Sequence, residues 1–111
     1  MKKMFVGFTA VFVLLFFSFA AEAGAISIRN STGVEIYYLY ISSSGNNDWE
    51  EDVLGNDTFE NGKTLRVNVT GSYRMFDLRA EDGDGDYLEW YEFPGNVTQI
   101  TLKSDGTAEY Q

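Results

Sequence analysis

The chain has 111 residues, with 17 Asp and Glu against 8 Lys and Arg, and a formal charge of −9 at neutral pH. It contains neither cysteine nor histidine, which excludes disulfides, Cys/His nucleophile pairs, a Ser-His-Asp triad and ordinary zinc centres. The negative charge also opposes association with nucleic acid and with anionic lipid.

Residues 1–23 read as a secretory signal peptide. Lys2 and Lys3 form a positive start, Met4 to Phe19 is almost wholly apolar, and Ala21-Glu22-Ala23 supplies small residues for a cut. The competing reading is an uncleaved membrane anchor, which needs roughly 20 apolar residues. This run is slightly short and ends in Glu22, so cleavage after Ala23 is expected, with Ala25 as the second choice. The absence of cysteine also excludes a lipid-modified cysteine at the new N-terminus. Cleavage removes two basic residues and one acidic residue, leaving 6 and 16, a formal charge of −10, on residues 24–111. Those 88 residues make one domain that has to hold without disulfides, by hydrophobic packing with a metal as the one available supplement. The location that follows is secreted or periplasmic, with no membrane contact after cleavage.

From there the pattern is β throughout. Ala25 to Asn30 reads as a short strand, and Asn30-Ser31-Thr32-Gly33 as a turn. Val34 to Ile41 is apolar on both faces from Ile36 onward, as in a central strand. Ser42 to Asn56 is a polar, acidic connection around Trp49 and Leu54. Asn61-Gly62 signals a type I′ hairpin joining Thr58–Glu60 to Lys63–Thr70. Leu65, Val67 and Val69 share one face there, as do Phe76, Leu78 and Ala80 in Tyr73 to Glu81. Asp82 to Gly85 is a turn into the strand Asp86–Phe93. Pro94-Gly95 fits positions i+1 and i+2 of a type II turn. Val97 to Lys103 is the next strand, and Asp105-Gly106 turns it into a last strand ending near Tyr110. No segment keeps a helical period. The expected fold is all-β, an antiparallel β-sandwich of seven to eight short strands with immunoglobulin-like or related Greek-key topology. Ile36, Leu39, Leu65, Val67, Phe76, Leu78, Trp90 and Ile100 are the expected core.

Asn30-Ser31-Thr32-Gly33 followed by Ile36-Tyr37-Tyr38-Leu39-Tyr40-Ile41-Ser42 resembles small exported bacterial β-domains of uncharacterised function. The likeness runs on through Trp49, Asp52 to Gly55, Asp77-Leu78-Arg79-Ala80 and Asp82-Gly83-Asp84-Gly85. Such chains are sometimes labelled argininosuccinate lyase, a large helical tetramer whose active site spans subunits; 88 β-patterned residues cannot build it. The resemblance therefore implies an exported β-domain and brings no reaction with it.

Two acidic groups are candidate sites. Asp82, Asp84 and Asp86 alternate with glycine in one turn, a spacing that can fold around Ca²⁺ with its six to eight oxygen ligands. Tyr87 and Phe93 stand where an EF-hand loop needs glycine and glutamate, so that motif is rejected. A glycine-rich hairpin kept soluble by charge is the plainer reading of the same residues. Asp48, Trp49, Glu51 and Asp52 form a second candidate, for binding of another kind. Strand parity puts the two groups at opposite ends of the sandwich, unless an extra short strand near Trp49–Leu54 reverses the direction. Sequons begin at Asn30, Asn56, Asn68 and Asn96, and matter only in a glycosylating pathway.

These features are expected of a non-enzymatic binding module, secreted or periplasmic, stabilised by calcium if the hairpin binds it. No other cofactor is implied. Its partner is an unknown protein or glycan. Two other readings stand beside it: an acidic inhibitor of a basic extracellular enzyme, and a small glycan-active enzyme using paired carboxylates roughly 5–10 Å apart. The leader makes the first test simple. N-terminal sequencing of protein recovered outside the cytoplasm should begin at Gly24, or secondarily at Ile26. Intact Met1 in a membrane fraction would establish the anchor instead.

Overall fold

Alternating apolar and polar residues build eight strands in this computed structural model, which describes residues 25–68 and 73–111. They are β1 (Ala25–Ser31), β2 (Ile36–Ser43), β3 (Glu51–Asp52), β4 (Thr64–Asn68), β5 (Met75–Asp82), β6 (Tyr87–Pro94), β7 (Gln99–Lys103) and β8 (Ala108–Tyr110). The leader, residues 1–23, and the predicted strand positions Val69 and Thr70 lie outside the described residues.

Two four-stranded sheets form, in the orders β4-β1-β7-β8 and β3-β2-β5-β6. This is the predicted small β-sandwich, and all but one of its strand pairs are antiparallel. The exception is β1 beside β7, which run parallel from Ser27↔Gln99 to Ser31↔Lys103. A parallel neighbour requires a long crossover connection, and everything from β2 to β6 lies between these two strands.

The inward positions of both sheets meet in one core. Ile26 and Ile28 of β1, Leu39 and Ile41 of β2, Phe76 and Leu78 of β5, Trp90 and Phe93 of β6, and Ile100 and Leu102 of β7 are all buried. The rings of Phe76 and Phe93 lie 5.3 Å apart, and Tyr110 meets Phe93 edge-on at 5.8 Å. Trp90 is completely buried and crosses between the sheets, its Nε1 donating to the Thr107 carbonyl at 3.1 Å. Of the eight expected core residues, seven are buried. Leu65 is half-buried, because β4 is an edge strand flanked on one side only.

Local expectations fail where a segment's partner lies far away in sequence. Thr58–Glu60 is not the first arm of a hairpin; only Phe59 pairs, in an isolated bridge to Ile36. Asn61-Gly62 does turn the chain, with the Lys63 amide donating to the Glu60 carbonyl at 3.2 Å. Gly62 has φ +86°, but Asn61 is not left-handed, so the turn is not type I′. It carries the chain from one sheet to the other, where β4 pairs with β1. Pro94 ends β6 and sits at position i, its carbonyl accepting from Val97 at 3.2 Å, rather than at i+1. Gly95 is required by space: a Cβ there would lie 1.8 Å from the Tyr73 carbonyl oxygen. β2 is not covered on both faces either, since Tyr37 and Tyr38 are 43% and 45% exposed.

Asn30 joins the two sheets. It is fully buried at the end of β1, and its Nδ2 donates to the carbonyls of Val34 (2.8 Å) and Phe59 (2.9 Å). Its Oδ1 accepts from the amide and the hydroxyl of Thr32, at 3.0 and 2.6 Å. All four of its hydrogen-bonding positions are filled, which also leaves the first sequon without a free amide in the folded chain.

Trp90→Ala and Phe76→Ala should each cost about 3–5 kcal/mol, a large part of the roughly 5–15 kcal/mol that holds a domain together. Chemical denaturation measures this, and midpoints equal to wild type would overturn the core described above.

Candidate functional site

The acidic hairpin between β5 and β6 is held by its own first carboxylate. Asp82 Oδ1 accepts the amides of Asp84 (2.9 Å) and Asp86 (3.0 Å), a local arrangement that short acidic side chains favour. The Asp82 amide donates in turn to the Asp86 carbonyl at 2.9 Å. Asp82 Oδ1 is thus engaged with the loop's own backbone. Among the described residues, no group of three or more acidic, histidine or cysteine side chains is placed to hold a metal ion.

The second acidic group divides along its length. The Asp48 carbonyl accepts from the Ser42 hydroxyl at 2.9 Å, which fixes the connection to the Ser43 end of β2. Trp49 is half-buried. Asp52 Oδ1 accepts the amides of Leu39 and Leu54, both at 3.1 Å, so this carboxylate braces the backbone of β2 and of the turn after β3. Glu51 is exposed and pairs in register with Ile41, on the inward side of the sheet edge. The Asp82–Asp86 hairpin adjoins the Ile36 end of β2, and Asp48 and Glu50 adjoin the Ser43 end. The two groups are thus at opposite ends, even though β3 is the extra short strand that would have reversed them. β3 and Phe59 belong to one upward pass along β2, so parity is unchanged.

Glu51 lies on the side of β3 that borders a cleft, with Asp52 next to it at the rim. A cavity of about 390 Å³ opens where the short β3 edge meets β4, lined among others by Glu51, Asp52, Arg66, Asn68 and Tyr73. It exists because β3 is only two residues long and cannot close the side of the sandwich. Arg66 and Asn68 lie on the wet face of the edge strand β4, as their alternation predicted, and border the same cavity, which nothing local in the sequence indicated. Tyr73 lies just before β5; burial, and then the charges of Glu50 and Glu51, raise its pKa above the ordinary 10.0. A second, smaller cavity of about 230 Å³ lies at the Ile36 end, beside Asp82 and Asp86.

Comparisons with protein-family models, with curated proteins and with solved structures give no match. The chemistry of these surfaces has to be read from their own residues.

The outer face of the β3-β2-β5-β6 sheet carries a polar network that the sequence did not single out. Glu89 of β6 is fully buried, accepting from Arg79 Nη1 at 2.6 Å and from the Tyr91 hydroxyl. Arg79 also donates its Nε to Glu81 at 3.0 Å, and its guanidinium lies 3.8 Å from the centre of the Tyr87 ring. Asp77, buried on the same face, accepts from the Ser44 hydroxyl at 2.6 Å and from the Glu92 amide at 2.8 Å. Glu92 has φ +67° at a bulge where the β5–β6 register shifts, and the Asp77 carboxylate holds it there.

Burial, and then its hydrogen bond to Glu89, raise the Tyr91 pKa above 10.0; Tyr40 and Tyr73 shift the same way. A raised folded-state pKa keeps the phenol protonated where the unfolded chain ionises. The associated stability is complete below pH 10.0 and is lost as the pH climbs through the folded-state pKa. Denaturation midpoints should therefore fall steeply above about pH 10. Tyr91→Phe should fall less steeply, whatever its stability at neutral pH. Parallel curves for the two proteins would sever the link to Tyr91.

Proposed function

We propose that residues 24–111 act outside the cytoplasm, secreted or periplasmic, as a non-enzymatic binding module that takes a glycan into the β3–β4 cleft. One observation carries the reading: a carboxylate, a guanidinium, an amide and a phenol, from Glu51, Arg66, Asn68 and Tyr73, line one open cavity of about 390 Å³. That volume lies in the range of small-ligand sites, roughly 300–1,000 Å³. Sugars offer many hydroxyls, which carboxylates, guanidinium and amide groups bond, and an apolar ring face that a phenol can cover. The leader at residues 1–23 supports the location.

The engagement of Asp52 favours binding over hydrolysis. Its Oδ1 is taken by two backbone amides, so Glu51 has no equally disposed partner for paired carboxylate chemistry. The proposal does not call on calcium, since among the described residues no three acidic side chains are placed together to hold it.

Titration calorimetry against neutral hexose and N-acetylhexosamine oligomers tests the cleft. Glu51→Gln and Arg66→Ala, both at exposed positions, should each weaken binding by about tenfold or more, the scale of a hydrogen bond to a charged group. Asp84→Asn, in the distant hairpin, should leave it unchanged. Absence of binding to every oligomer, or affinities indifferent to both cleft variants, would refute the proposal.

A further inference from the structure

The two outer faces of the sandwich differ in charge and in composition. On the β4-β1-β7-β8 sheet the outward positions include Arg29, Arg66 and Lys103 with one carboxylate, Glu109, and no aromatic ring. On the other sheet Asp52, Asp77, Glu81 and Glu89 face outward around a single cation, Arg79, among Tyr38, Tyr40, Tyr87 and Tyr91. That cation is already held by Glu81 and Glu89. A protein with a large overall negative charge thus concentrates carboxylates and rings on one face and cations on the opposite one.

We infer that the outer face of the β3-β2-β5-β6 sheet docks a basic protein, whose lysine or arginine side chains lie against Tyr38 and Tyr40 beside Glu81 and Asp52. The register supplies the geometry. Tyr38 stands directly opposite Glu81, and Tyr40 stands between Asp52 and Arg79. The two rings are parallel within 5°, with centres 6.2 Å apart, and Tyr38 is 45% exposed. Arg79 on Tyr87, braced by two glutamates, shows within the same face how a guanidinium is accommodated. An incoming cation meets the same two elements one strand away, a ring and an adjacent carboxylate. Exposed cation–π contacts strengthen as they are desolvated, and a complementary face both steers the encounter and orients it. At Tyr40, burial first and then the charges of Glu81, Asp52 and Tyr38 raise the pKa, against the opposing charge of Arg79. Asp52 borders both this surface and the β3–β4 cleft; Tyr38, Tyr40 and Glu81 line only the former, and the docking does not depend on glycan binding in the cleft.

The test uses residues 24–111 and an alternating lysine–serine peptide, with a glutamate–serine peptide as control. The lysine peptide should bind and the glutamate peptide should not. Raising the salt from about 0.1 M to 1 M, where the Debye length falls from about 10 Å to 3 Å, should weaken binding at least about tenfold. Tyr38→Ser should weaken it about three- to thirtyfold, the equivalent of a cation–π contact, and Glu81→Gln should also weaken it. Glu109→Gln removes the same unit charge from the opposite face and should leave the affinity unchanged. Melting curves establish that each variant is folded. No binding by the lysine peptide overturns the inference. So does equal weakening by Glu109→Gln and Glu81→Gln, which would mean attraction by net charge alone, or full affinity in Tyr38→Ser.

Discussion

A sandwich without cysteine has to be closed by side chains, and the amide of Asn30 is where this one closes. It reaches from the end of β1 to the carbonyls of Val34 and Phe59, which belong to the entry into β2 and to the crossover between the sheets. Its oxygen meanwhile holds Thr32 in the intervening turn. A buried amide with any of these partners missing would leave a polar group without solvent or a hydrogen bond, at a cost of about 1–3 kcal/mol. With all of them present it fixes one arrangement of three segments. The registers of β1 on β4 and of Phe59 on Ile36 start from that point, because the Asn30 backbone also bonds Gly62 and Lys63.

The outer face of the β3-β2-β5-β6 sheet obeys a related constraint. Among the described residues, Glu89 is fully buried there with no second layer of strands above it. It is shielded and neutralised by its neighbours Arg79 and Tyr91. A buried ion pair of this kind is weak grounds for stability, since desolvation offsets the attraction, but loss of one partner is costly. Its structural consequence is positional. Arg79 is held between β5 and β6, the Tyr87 ring is held under the guanidinium, and the strained bulge at Glu92 is held by Asp77. The side chains of this face are thereby tied to one another, and contacts already made lower the ordering cost of an association through it.

The cleft follows from a defect in strand length. β3 contributes two residues to the sheet edge, and the chain then leaves it for Phe59 and the crossover. A longer β3 would lie along more of β2 and narrow this opening. Instead the side of the sandwich stays open against β4. The residues with polar reach are those at the two edges.

Much of the fold was legible because alternation reports directly which side of a strand is dry. Leu65 and Val67, and Phe76, Leu78 and Ala80, sit on the side their spacing assigned, Ile100 is in the core as expected, and the Asp82–Gly85 and Asp105-Gly106 turns fall where expected. Alternation carries no information about which strand lies alongside. Loop-closure entropy rises only slowly with loop length, so sequence distance does not decide it either. The parallel pairing of β1 with β7, the passage of Asn61-Gly62 between sheets and the role of Asn30 were therefore settled by packing. The same holds for the candidate site. Glu51 and Asp52 could be read as an acidic group, and Arg66 and Asn68 as the wet face of a strand. That Glu51 and Arg66 border one open cavity, while Asp52 is turned back onto the backbone, depended on two sheet edges meeting in three dimensions.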